Sequence, residues 1–439
     1  MPELSRQLGL TDAVAVVAGT IIGSGIFLVP NLVARNLDSR PLILGVWIFT
    51  GILSFFGALA YAELGAMFPA TGGQYVYLRE IYGRFWAFLC GWAYFFVVIS
   101  AAVAWLSISF AAYLAYFVPL TPLQSKAVAA ALIVAITAIN YRGMTAGAVF
   151  QKLFTVVKIA GLLVLIAAAF FGGARAAPPP APGPFSISHF GVAMIACVLS
   201  YDGWVAVSFI AGEIKEPKRN LPLALALGLA AVIGVYVLIN AAYLRVLSIP
   251  DIAATPRVGA LLAERTMGPA GGAFLACTIL ISIAGAMNGW AMTAPRIFFA
   301  QARDGMFLPA FARVHPRYRT PHISILLFGA WSAILALTGT YETLASYAMY
   351  AAWIFYGLTS LGVWILRRRR PHMPRPYRMW GYPATLVLFA AVAFGFVVNT
   401  LIATPGPSIA GTLLIATGAP VYWFTVRRAG GRARRIPPM

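Results

Sequence analysis

Apolar residues form a series of long segments along the chain, and short segments rich in Arg, Pro and Gly separate them. Several apolar segments exceed 20 residues, about the length that a helix needs to cross a hydrocarbon layer of about 30 Å. This pattern predicts an all-α polytopic membrane protein with twelve transmembrane helices. The predicted spans are residues 12–35, 42–68, 85–118, 123–140, 144–171, 187–213, 221–247, 270–301, 323–339, 342–366, 381–402 and 408–427.

Two of these spans are interrupted near their middle by small and polar residues. Span one contains GTIIGSGIFLVP, in which Gly19, Gly23 and Gly25 surround Ser24. Span six contains ACVLSYDGWVAVSF, in which polar residues and a glycine break the apolar run. The two spans are five apart and therefore cross the membrane in opposite directions. Broken helices at corresponding positions of two inverted halves indicate the binding site of a transporter.

The break in span one has a chemical consequence. Unwinding of residues 23–26 exposes backbone N–H groups at the start of the second half-helix, whose partial positive charge suits a carboxylate. Ser24 adds a hydroxyl donor. The end of the first half-helix and the break in span six expose carbonyl groups, which suit an ammonium group. Together they predict a site for a zwitterionic α-amino acid, although the glycines alone also fit a close contact between packed helices.

Composition and charge agree with a membrane protein. Apolar residues make up 61% of the chain and charged residues 10%, against about a quarter in soluble proteins. The net charge of +20 lies between the spans, so the positive-inside rule accounts for it and no nucleic-acid partner is predicted. The same rule predicts that both termini are cytoplasmic. The three cysteines lie in apolar segments and the four histidines at span ends or in loops, so no disulfide, metal or cofactor is predicted.

Two ionisable residues lie deep inside predicted spans and are therefore functional candidates. Lys158 is expected to bridge the carbonyls freed in span one, as Na⁺ does in sodium-coupled relatives of such folds, or else to be a structural cation bonded to carbonyls and Asn288. Asp202 either pins the unwound segment of span six or faces the site and favours an amino group or a proton. Lys152 is nearer a span end and is expected to be structural. Glu213, at the cytoplasmic end of span six, is expected to hold a gate or a loop and not to contact the substrate.

Several motifs carry a family resemblance along most of the chain. GTIIGSGIF, YDGW with GEIKEPKRNLPLAL, NGWAMTAPRIFFAQARDGMFLPAF, ELGAMFPATGGQYVYLREIYG and RRRRPHMPRPYRMWGYP resemble the L-type amino-acid transporter family of the amino acid–polyamine–organocation superfamily. The YDGW form is similar to the bacterial branch. The resemblance implies a LeuT-type fold, with a 5+5 inverted repeat plus two helices in one transporter domain over 1–439. The first repeat is then 12–172, the second 187–366, and the last two helices occupy 380–427.

The resemblance also implies roles for individual residues. Ser24, Gly25 and Ile26 are expected to bind the substrate carboxylate, and Ile21, Leu199 and Asp202 to offer carbonyls to the α-amino group. The predicted substrate-binding residues lie in or near the two breaks: Ile21, Gly23, Ser24, Gly25, Ile26, Leu199, Ser200, Asp202, Gly203, Trp204 and Trp353. Lys158 matches a fifth-span lysine that links the first and eighth spans in this family. Lys158, Asn288 and Asp202 are the predicted coupling or gating residues.

This sequence departs from animal members of the family at two places. Many large-neutral members carry a bulky aromatic gate at the position of Leu199, so a different substrate selection is expected here. The external loop between spans three and four reads VPLTPLQSK and lacks the cysteine that joins animal members to a heavy-chain glycoprotein. No disulfide-linked heavy chain is therefore expected.

The sequence thus predicts a sodium-independent antiporter of small to medium neutral L-amino acids, such as Ala, Ser, Thr or the branched-chain residues, working by alternating access in the lipid bilayer of a bacterial inner membrane. The alternative is a proton-coupled transporter, or a carrier of cationic amino acids or polyamines, that uses Asp202. A membrane-embedded enzyme is disfavoured because no HExxH, GxSxG or clustered histidine or carboxylate set lies inside the spans. A channel would need rings of like charge or repeated filter carbonyls.

Overall fold

The computed structural model describes residues 4–173, 176 and 185–429, and these residues form helices joined by short connections. The described part contains no β-strand, and its one parallel bridge pairs Leu8 with Ile214. A π-helical segment, Tyr94–Val98, and two 3-10 turns, Ala211–Glu213 and Pro309–Ala312, complete the helical elements. The α-helices in chain order are α1 (Leu10–Ile21), α2 (Gly25–Ala34), α3 (Arg40–Met67), α4 (Gln74–Tyr82), α5 (Arg84–Ala93), α6 (Ile99–Leu114), α7 (Pro122–Tyr141), α8 (Met144–Phe171), α9 (Ile187–Tyr201), α10 (Ala206–Phe209), α11 (Pro217–Val246), α12 (Ile249–Ala254), α13 (Val258–Met267), α14 (Pro269–Thr293), α15 (Pro295–Arg303), α16 (His322–Thr338), α17 (Tyr341–Arg369), α18 (Ala384–Ala403), α19 (Pro405–Ala416) and α20 (Gly418–Ala429).

Length and hydropathy identify the elements that can cross a membrane. Among the described residues, nine helical segments are long and apolar enough, and the bent pair α1–α2 raises the number to ten. The prediction of a polytopic membrane protein is confirmed. The two other predicted spans coincide with α16, which has 17 residues, and with α19 and α20, which Thr417 separates. The count of twelve spans therefore stays a prediction.

Span one is broken at the predicted place. α1 ends at Ile21 and α2 begins at Gly25, and their axes differ by 45°. Ile22 has extended backbone angles, which ends the helical hydrogen-bond ladder there. The glycines of this stretch have different roles: a Cβ on Gly19 would lie 2.1 Å from Nε2 of Gln151, whereas a Cβ on Gly23 would meet nothing closer than 3.8 Å. Close helix packing therefore explains Gly19 and does not explain Gly23.

Span six is also broken, between the end of α9 at Tyr201 and the start of α10 at Ala206. Gly203 lies in this break with a φ of 117°, a left-handed conformation that favours glycine. A Cβ on Gly203 would lie 3.0 Å from the carbonyl carbon of Thr20 in α1. The break in span six thus packs directly on the helix that leads into the break in span one.

Packing brings both breaks to the centre of the molecule. α1 packs against α8, α11 and α14, and α2 packs against α9. Span one begins at one end of the bundle, called here the α1 end, and finishes at the opposite end, called the α2 end. Because the helices alternate in direction, the segment with α4 and the segment between α17 and α18 lie at the α1 end, whereas α12 and α13 lie at the α2 end.

Candidate functional site

The carbonyl groups freed by the break in span one are occupied by two side chains. The buried Lys158 ammonium donates to the carbonyls of Gly19 and Ile22, both at 2.7 Å, and to that of Ser282 at 3.3 Å. The Ser282 hydroxyl donates to the carbonyls of Ile22 (3.0 Å) and Gly23 (3.2 Å). An ammonium group has three N–H donors, and all three are used here. Lys158 on α8 therefore ties the end of α1 to α14.

Lys158 is one of three polar residues that α8 presents to α1. Gln151, Thr155 and Lys158 are spaced four and three residues apart and so lie on one face of the helix. Gln151 and Thr155 both donate to the carbonyl of Ala15, at 3.4 and 3.2 Å. This row of donors, a polar ladder, follows α1 along its inner half as far as the break.

Asn288 belongs to a neighbouring hydrogen-bond network. Its amide donates to the carbonyl of Gly147 (3.0 Å) and to Oε1 of Gln151 (2.8 Å), and it accepts from Asn140 (2.8 Å). The expectation that Lys158 bonds to Asn288 is wrong in this structure, because the third partner of the lysine is the carbonyl of Ser282. Asn288 reaches the polar ladder through Gln151 instead.

The break in span one also leaves backbone donors free. In the part of the chain that the structure describes, the N–H groups of Gly23, Ser24 and Ile26 have no hydrogen-bond acceptor. They lie at the N-terminus of α2, where the helix dipole and the unpaired N–H groups attract anions. Gly25, between them, packs so closely on α9 that a Cβ would lie 2.8 Å from the Ser200 hydroxyl. A larger residue at Gly25 would separate the two breaks.

A tyrosine that the sequence analysis did not single out joins the two breaks. The hydroxyl of Tyr236, on α11, lies 3.3 Å from the carbonyl of Ile21 and 3.1 Å from that of Ser200. Its ring is fully buried between Trp47 and Tyr201. Tyrosines are common in apolar helices, so nothing in the spacing of Tyr236 distinguishes it. Only the packing of α11 against α1 and α9 reveals its position.

Asp202 lies at the break in span six and bonds to span ten. Its Oδ1 accepts a hydrogen bond of 2.9 Å from the hydroxyl of Tyr356 on α17, and the residue remains partly exposed. Tyr356 packs in an aromatic cluster with Trp204 and Tyr61. The contact with Tyr356 fits the interpretation in which Asp202 pins the unwound segment, and the exposure of Asp202 leaves its second interpretation open.

The remaining predicted residues of the site occupy different surroundings. Trp353 packs on Phe389 and Phe396 of α18 and approaches Asp202 only through Tyr356. Leu199 is 42% exposed. Val192, Ile195, Leu199 and Asp202 lie on one face of span six, and each is at least partly exposed. This face of span six is therefore exposed from the α2 end as far as the break.

The α1 end of the bundle is closed by a buried ion pair and by the N-terminal segment. Arg296 of α15 binds Glu213 with a distance of 2.9 Å between Nε and Oε1, and both side chains are almost wholly buried. The backbone N–H groups of Gln7 and Leu8 both donate to the carbonyl of Glu213, at 3.0 Å, and Lys215 N–H donates back to Leu8 at 2.8 Å. This N-terminal strap, which consists of residues 7 and 8, lies at the α1 ends of span one and span six.

The α2 end carries a cap and a cavity. Asn31 of α2 and Arg35, directly after its end, donate to carbonyls of α12 at 2.9–3.1 Å, so the cap is tied to the second half of span one. The pKa of Asp251 in α12 is lowered because Ser248 and Arg265 stabilise its carboxylate. A cavity of about 610 Å³ lies beside the start of α2, and its lining includes Phe27, Leu28, Tyr113, Tyr116, Arg257 and Glu264.

Metal ligation finds no support in the described residues. No group of three or more His, Cys, Asp or Glu side chains in them is placed to hold a metal ion. Cys90 and Cys197 are buried free thiols, and Cys277 is an exposed one. The chemistry at the two breaks is therefore that of backbone groups, hydroxyls, one lysine and one carboxylate.

Two broken membrane helices packed against each other, with free N–H groups at one break and a buried lysine on its carbonyls, define a secondary transporter of the membrane. Comparison with known proteins gives the family. The sequence model described as amino acid permease matches residues 8–426, and the chain belongs to this family. It is an L-type amino acid transporter, a multi-pass protein of the cell membrane, and it is not an enzyme. The resemblance that the motifs carry is thereby confirmed.

Three relatives are similar to this chain along nearly its whole length. The serine/threonine exchanger SteT of Bacillus subtilis is 32% identical over 97% of this chain and 98% of its own length. The human b(0,+)-type amino acid transporter 1 is 31% identical over 99% of this chain and 91% of its own length. The mouse large neutral amino acids transporter small subunit 2 is 31% identical over 96% of this chain and 81% of its own length.

Proposed function

We propose that the protein is a sodium-independent antiporter that exchanges small to medium neutral L-amino acids across the membrane by alternating access. The observation that carries this proposal is the arrangement at the break in span one, where N–H groups are free and carbonyls are held by Lys158. The relative SteT, whose name describes a serine/threonine exchanger, supports exchange of small polar or neutral residues.

The free N–H groups of Gly23, Ser24 and Ile26 supply the carboxylate side of the site. An α-carboxylate bound there accepts hydrogen bonds from backbone donors at a helix N-terminus, so no charged side chain is needed to neutralise it. Ser24 is buried at the same place and adds its hydroxyl. The α-amino group then donates hydrogen bonds to carbonyls at the two breaks. The proposed acceptors are the backbone carbonyls of Ile21, Leu199 and Asp202.

We base the proposal of sodium-independent transport on the contacts of Lys158. Its ammonium donates to carbonyl oxygens that a bound Na⁺ would otherwise coordinate, and it carries the same charge. Because the lysine is covalently fixed, no ion has to enter or leave with the substrate. A carrier without a coupling ion returns slowly when empty, which makes exchange the favoured mode.

We base the proposed preference for neutral substrate side chains on the contacts of the two charged residues at the breaks, Lys158 and Asp202. Lys158 is fully bonded to carbonyls, and Asp202 accepts from Tyr356. A cationic or anionic substrate side chain would have to displace one of these contacts. The partial exposure of Asp202 supports the competing function, in which this carboxylate binds a cationic group or a transported proton.

The proposed mechanism uses the two ends of the bundle as alternating gates. In this mechanism the Glu213–Arg296 pair and the N-terminal strap close the α1 end, and the substrate enters from the α2 end along the exposed face of α9; the burial of the pair and the exposure of that face support this. We propose that α1–α2 and α9–α10 are equivalent elements of a 5+5 inverted repeat of the LeuT type. The proposal includes twelve spans, cytoplasmic termini and the α1 end facing the cytoplasm.

We further propose that the chain works without a disulfide-linked partner. The loop after span three contains no cysteine, Cys90 and Cys197 are buried, and the exposed Cys277 lies within the apolar helix α14 and not in a loop. If the purified chain alone transports amino acids in liposomes, the proposal holds. Transport that appears only with a co-expressed single-span protein contradicts it.

The test of the proposed function uses the purified chain in liposomes that contain unlabelled serine, alanine, leucine or arginine, or none. Uptake of labelled alanine in sodium-free buffer is measured for each. We expect rapid uptake only into liposomes loaded with a neutral amino acid, and no change on adding Na⁺. Uptake into empty liposomes that follows an imposed pH gradient, or exchange driven best by arginine and abolished in Asp202→Asn, would establish the competing function instead.

A further inference from the structure

Six arginines lie between Arg367 and Arg378, at the end of α17 and in the turn that follows it, and the structure gives them two kinds of surroundings. Three have structural partners at the α1 end. Arg367 binds Glu63 (2.6 Å), Arg370 binds Glu80 (3.2 Å), and Arg375 donates to four backbone carbonyls of the turn at 2.9–3.1 Å. These contacts hold the turn in a fixed shape.

The other three arginines, Arg368, Arg369 and Arg378, are exposed and have no carboxylate partner among the described residues. The segments that carry them are held together by one carboxylate. Arg367 and the backbone N–H of Met379 both bind Oε2 of Glu63, each at 2.6 Å. Glu63 therefore ties the end of α17, with Arg368 and Arg369, to the segment that carries Arg378.

Exposed tryptophans accompany these arginines. Trp364, 41% exposed, lies on α17 about one turn before its end, and the guanidinium of Arg368 is 4.3 Å from the centre of its ring. Trp380 is 73% exposed, just before α18 begins. Tryptophan favours the boundary between the hydrocarbon and headgroup layers, so this surface lies at headgroup depth. The ring holds the guanidinium of Arg368 there in a defined position.

We propose that Arg368, Arg369, Arg378, Trp364 and Trp380 form a binding site for the phosphate headgroup of an anionic phospholipid. A guanidinium matches phosphate oxygens with two parallel N–H groups, and the exposed rings contact the glycerol and upper acyl region. The positive-inside rule accounts for basic residues in this turn but not for an arginine stacked on a lipid-facing ring. A soluble phosphate would use the arginines and would gain nothing from the two tryptophans.

The test measures retention of lipids by the purified protein in detergent, using native mass spectrometry with added phosphatidylglycerol or phosphatidylcholine. The patch variant Arg368→Gln/Arg369→Gln/Arg378→Gln removes three charges that make no ion pair. The matched control Lys215→Gln/Lys218→Gln/Arg219→Gln removes three exposed charges from the same end of the bundle. Trp364→Leu keeps an apolar side chain but removes the ring under Arg368.

We expect the unchanged protein to retain phosphatidylglycerol in preference to phosphatidylcholine. The patch variant should lose at least about tenfold in affinity for phosphatidylglycerol, since each basic side chain near an anionic surface contributes roughly a factor of five. The control should change by about twofold or less, and Trp364→Leu should weaken binding to an intermediate degree. Glycerol phosphate should not compete.

Three outcomes would overturn the proposal. Equal retention of the two lipids would show that no anionic headgroup is selected. An equal loss in the Lys215/Lys218/Arg219 control would show that only total charge matters. Competition by millimolar glycerol phosphate would show a site for soluble anions. Each variant is accepted only if it elutes as the unchanged protein does in size-exclusion chromatography.

Discussion

Lys158 is a buried charge whose three N–H groups all donate to backbone carbonyls. Replacing it by alanine leaves the carbonyl of Gly19 without a donor, a loss of about 1–3 kcal/mol for a buried group left unpaired, while the carbonyl of Ile22 keeps only the Ser282 hydroxyl. We therefore expect Lys158→Ala to lower amino acid exchange by roughly ten- to a hundredfold. Exchange in liposomes measures the effect.

The control for this variant is Lys152→Ala, on the same helix. Lys152 pairs with Asp12 at 2.9 Å, but its side chain is 45% exposed. Exposed ion pairs contribute about 0–1 kcal/mol, so this variant should transport at close to the normal rate. Normal exchange in Lys158→Ala would show that the lysine has only a structural role.

Tyr236 connects the two breaks through one hydroxyl. Tyr236→Phe keeps the ring and its contacts and removes only the hydroxyl, whose single hydrogen is shared between the carbonyls of Ile21 and Ser200. Because one such bond is worth about 0.5–1.5 kcal/mol, we expect the substrate KM to rise about three- to tenfold. Tyr243→Phe on the same helix is the control, since its hydroxyl reaches only Ile26, at 3.4 Å. Equal effects of the two variants would contradict the bridging role.

The sequence allows some residues of the site to be predicted and leaves others out. Gly23, Ser24 and Lys158 stand out because glycine and charge are unfavourable in the middle of a span. Tyr236 and Ser282 do not stand out, because their residue types are ordinary in membrane helices. Their role depends on which distant helix they face, and the apolar pattern does not contain that information. The same holds for Lys158, whose third partner is Ser282 and not Asn288.

At the scale of elements, the break in span six depends on Gly203. Alanine at this position would hold a left-handed backbone, which costs about 1–2 kcal/mol, and would place its Cβ 3.0 Å from Thr20. We expect Gly203→Ala to lower both the thermal stability and the exchange rate. Thermal unfolding in detergent and exchange in liposomes are the two measurements.

Gly45→Ala and Gly234→Ala are controls for the loss of a glycine. Both glycines lie inside long helices, and a Cβ on either would meet no atom within 4 Å. Alanine favours a helix over glycine by about 1 kcal/mol, so these variants should be neutral or slightly more stable. If they lose as much stability as Gly203→Ala, the strained break is not the cause.

The apolar pattern of the sequence predicts most of the membrane-spanning helices but not the irregular turns within them. Ten of the twelve predicted spans meet the length and hydropathy required, and the two breaks lie where glycines and polar residues placed them. Two features of the helices were not predicted: the π-helical segment Tyr94–Val98, and the break that separates α14 from α15 directly before Pro295. A π turn leaves the apolar pattern unchanged, because it shifts the register of the hydrogen bonds and not the kind of residue.

At the scale of the whole molecule, the Glu213–Arg296 pair joins the N-terminal strap, the end of span six and the end of span eight. Breaking a buried pair by removing one partner costs about 3–5 kcal/mol, because the remaining charge is left unpaired. We expect Glu213→Gln to lower the Tm clearly. The double variant Glu213→Leu/Arg296→Met should recover most of the loss, since apolar replacement of a buried pair is often neutral.

These variants also test the closed α1 end. If the pair holds this end shut, the double variant folds but exposes the inner face of span one, and a cysteine placed at Ala15 reacts with a soluble maleimide faster than in the unchanged background. Equal labelling rates would show that the pair contributes to stability alone. Failure of the double variant to recover stability would contradict the assignment of the loss to an unpaired charge.

Hydrogen exchange in the N-terminal strap reports how often the transporter opens at the α1 end. The amide hydrogens of Gln7, Leu8 and Lys215 are each bonded across two separate parts of the chain, so solvent deuterium replaces them only when those parts come apart. The rate at which deuterium replaces these amide hydrogens in the native protein therefore measures how often the α1 end opens, and the measurement needs no label or mutation. A substrate that promotes the form open at the α1 end should raise the deuterium exchange rate of these three amides and leave that of the amides inside α8 unchanged.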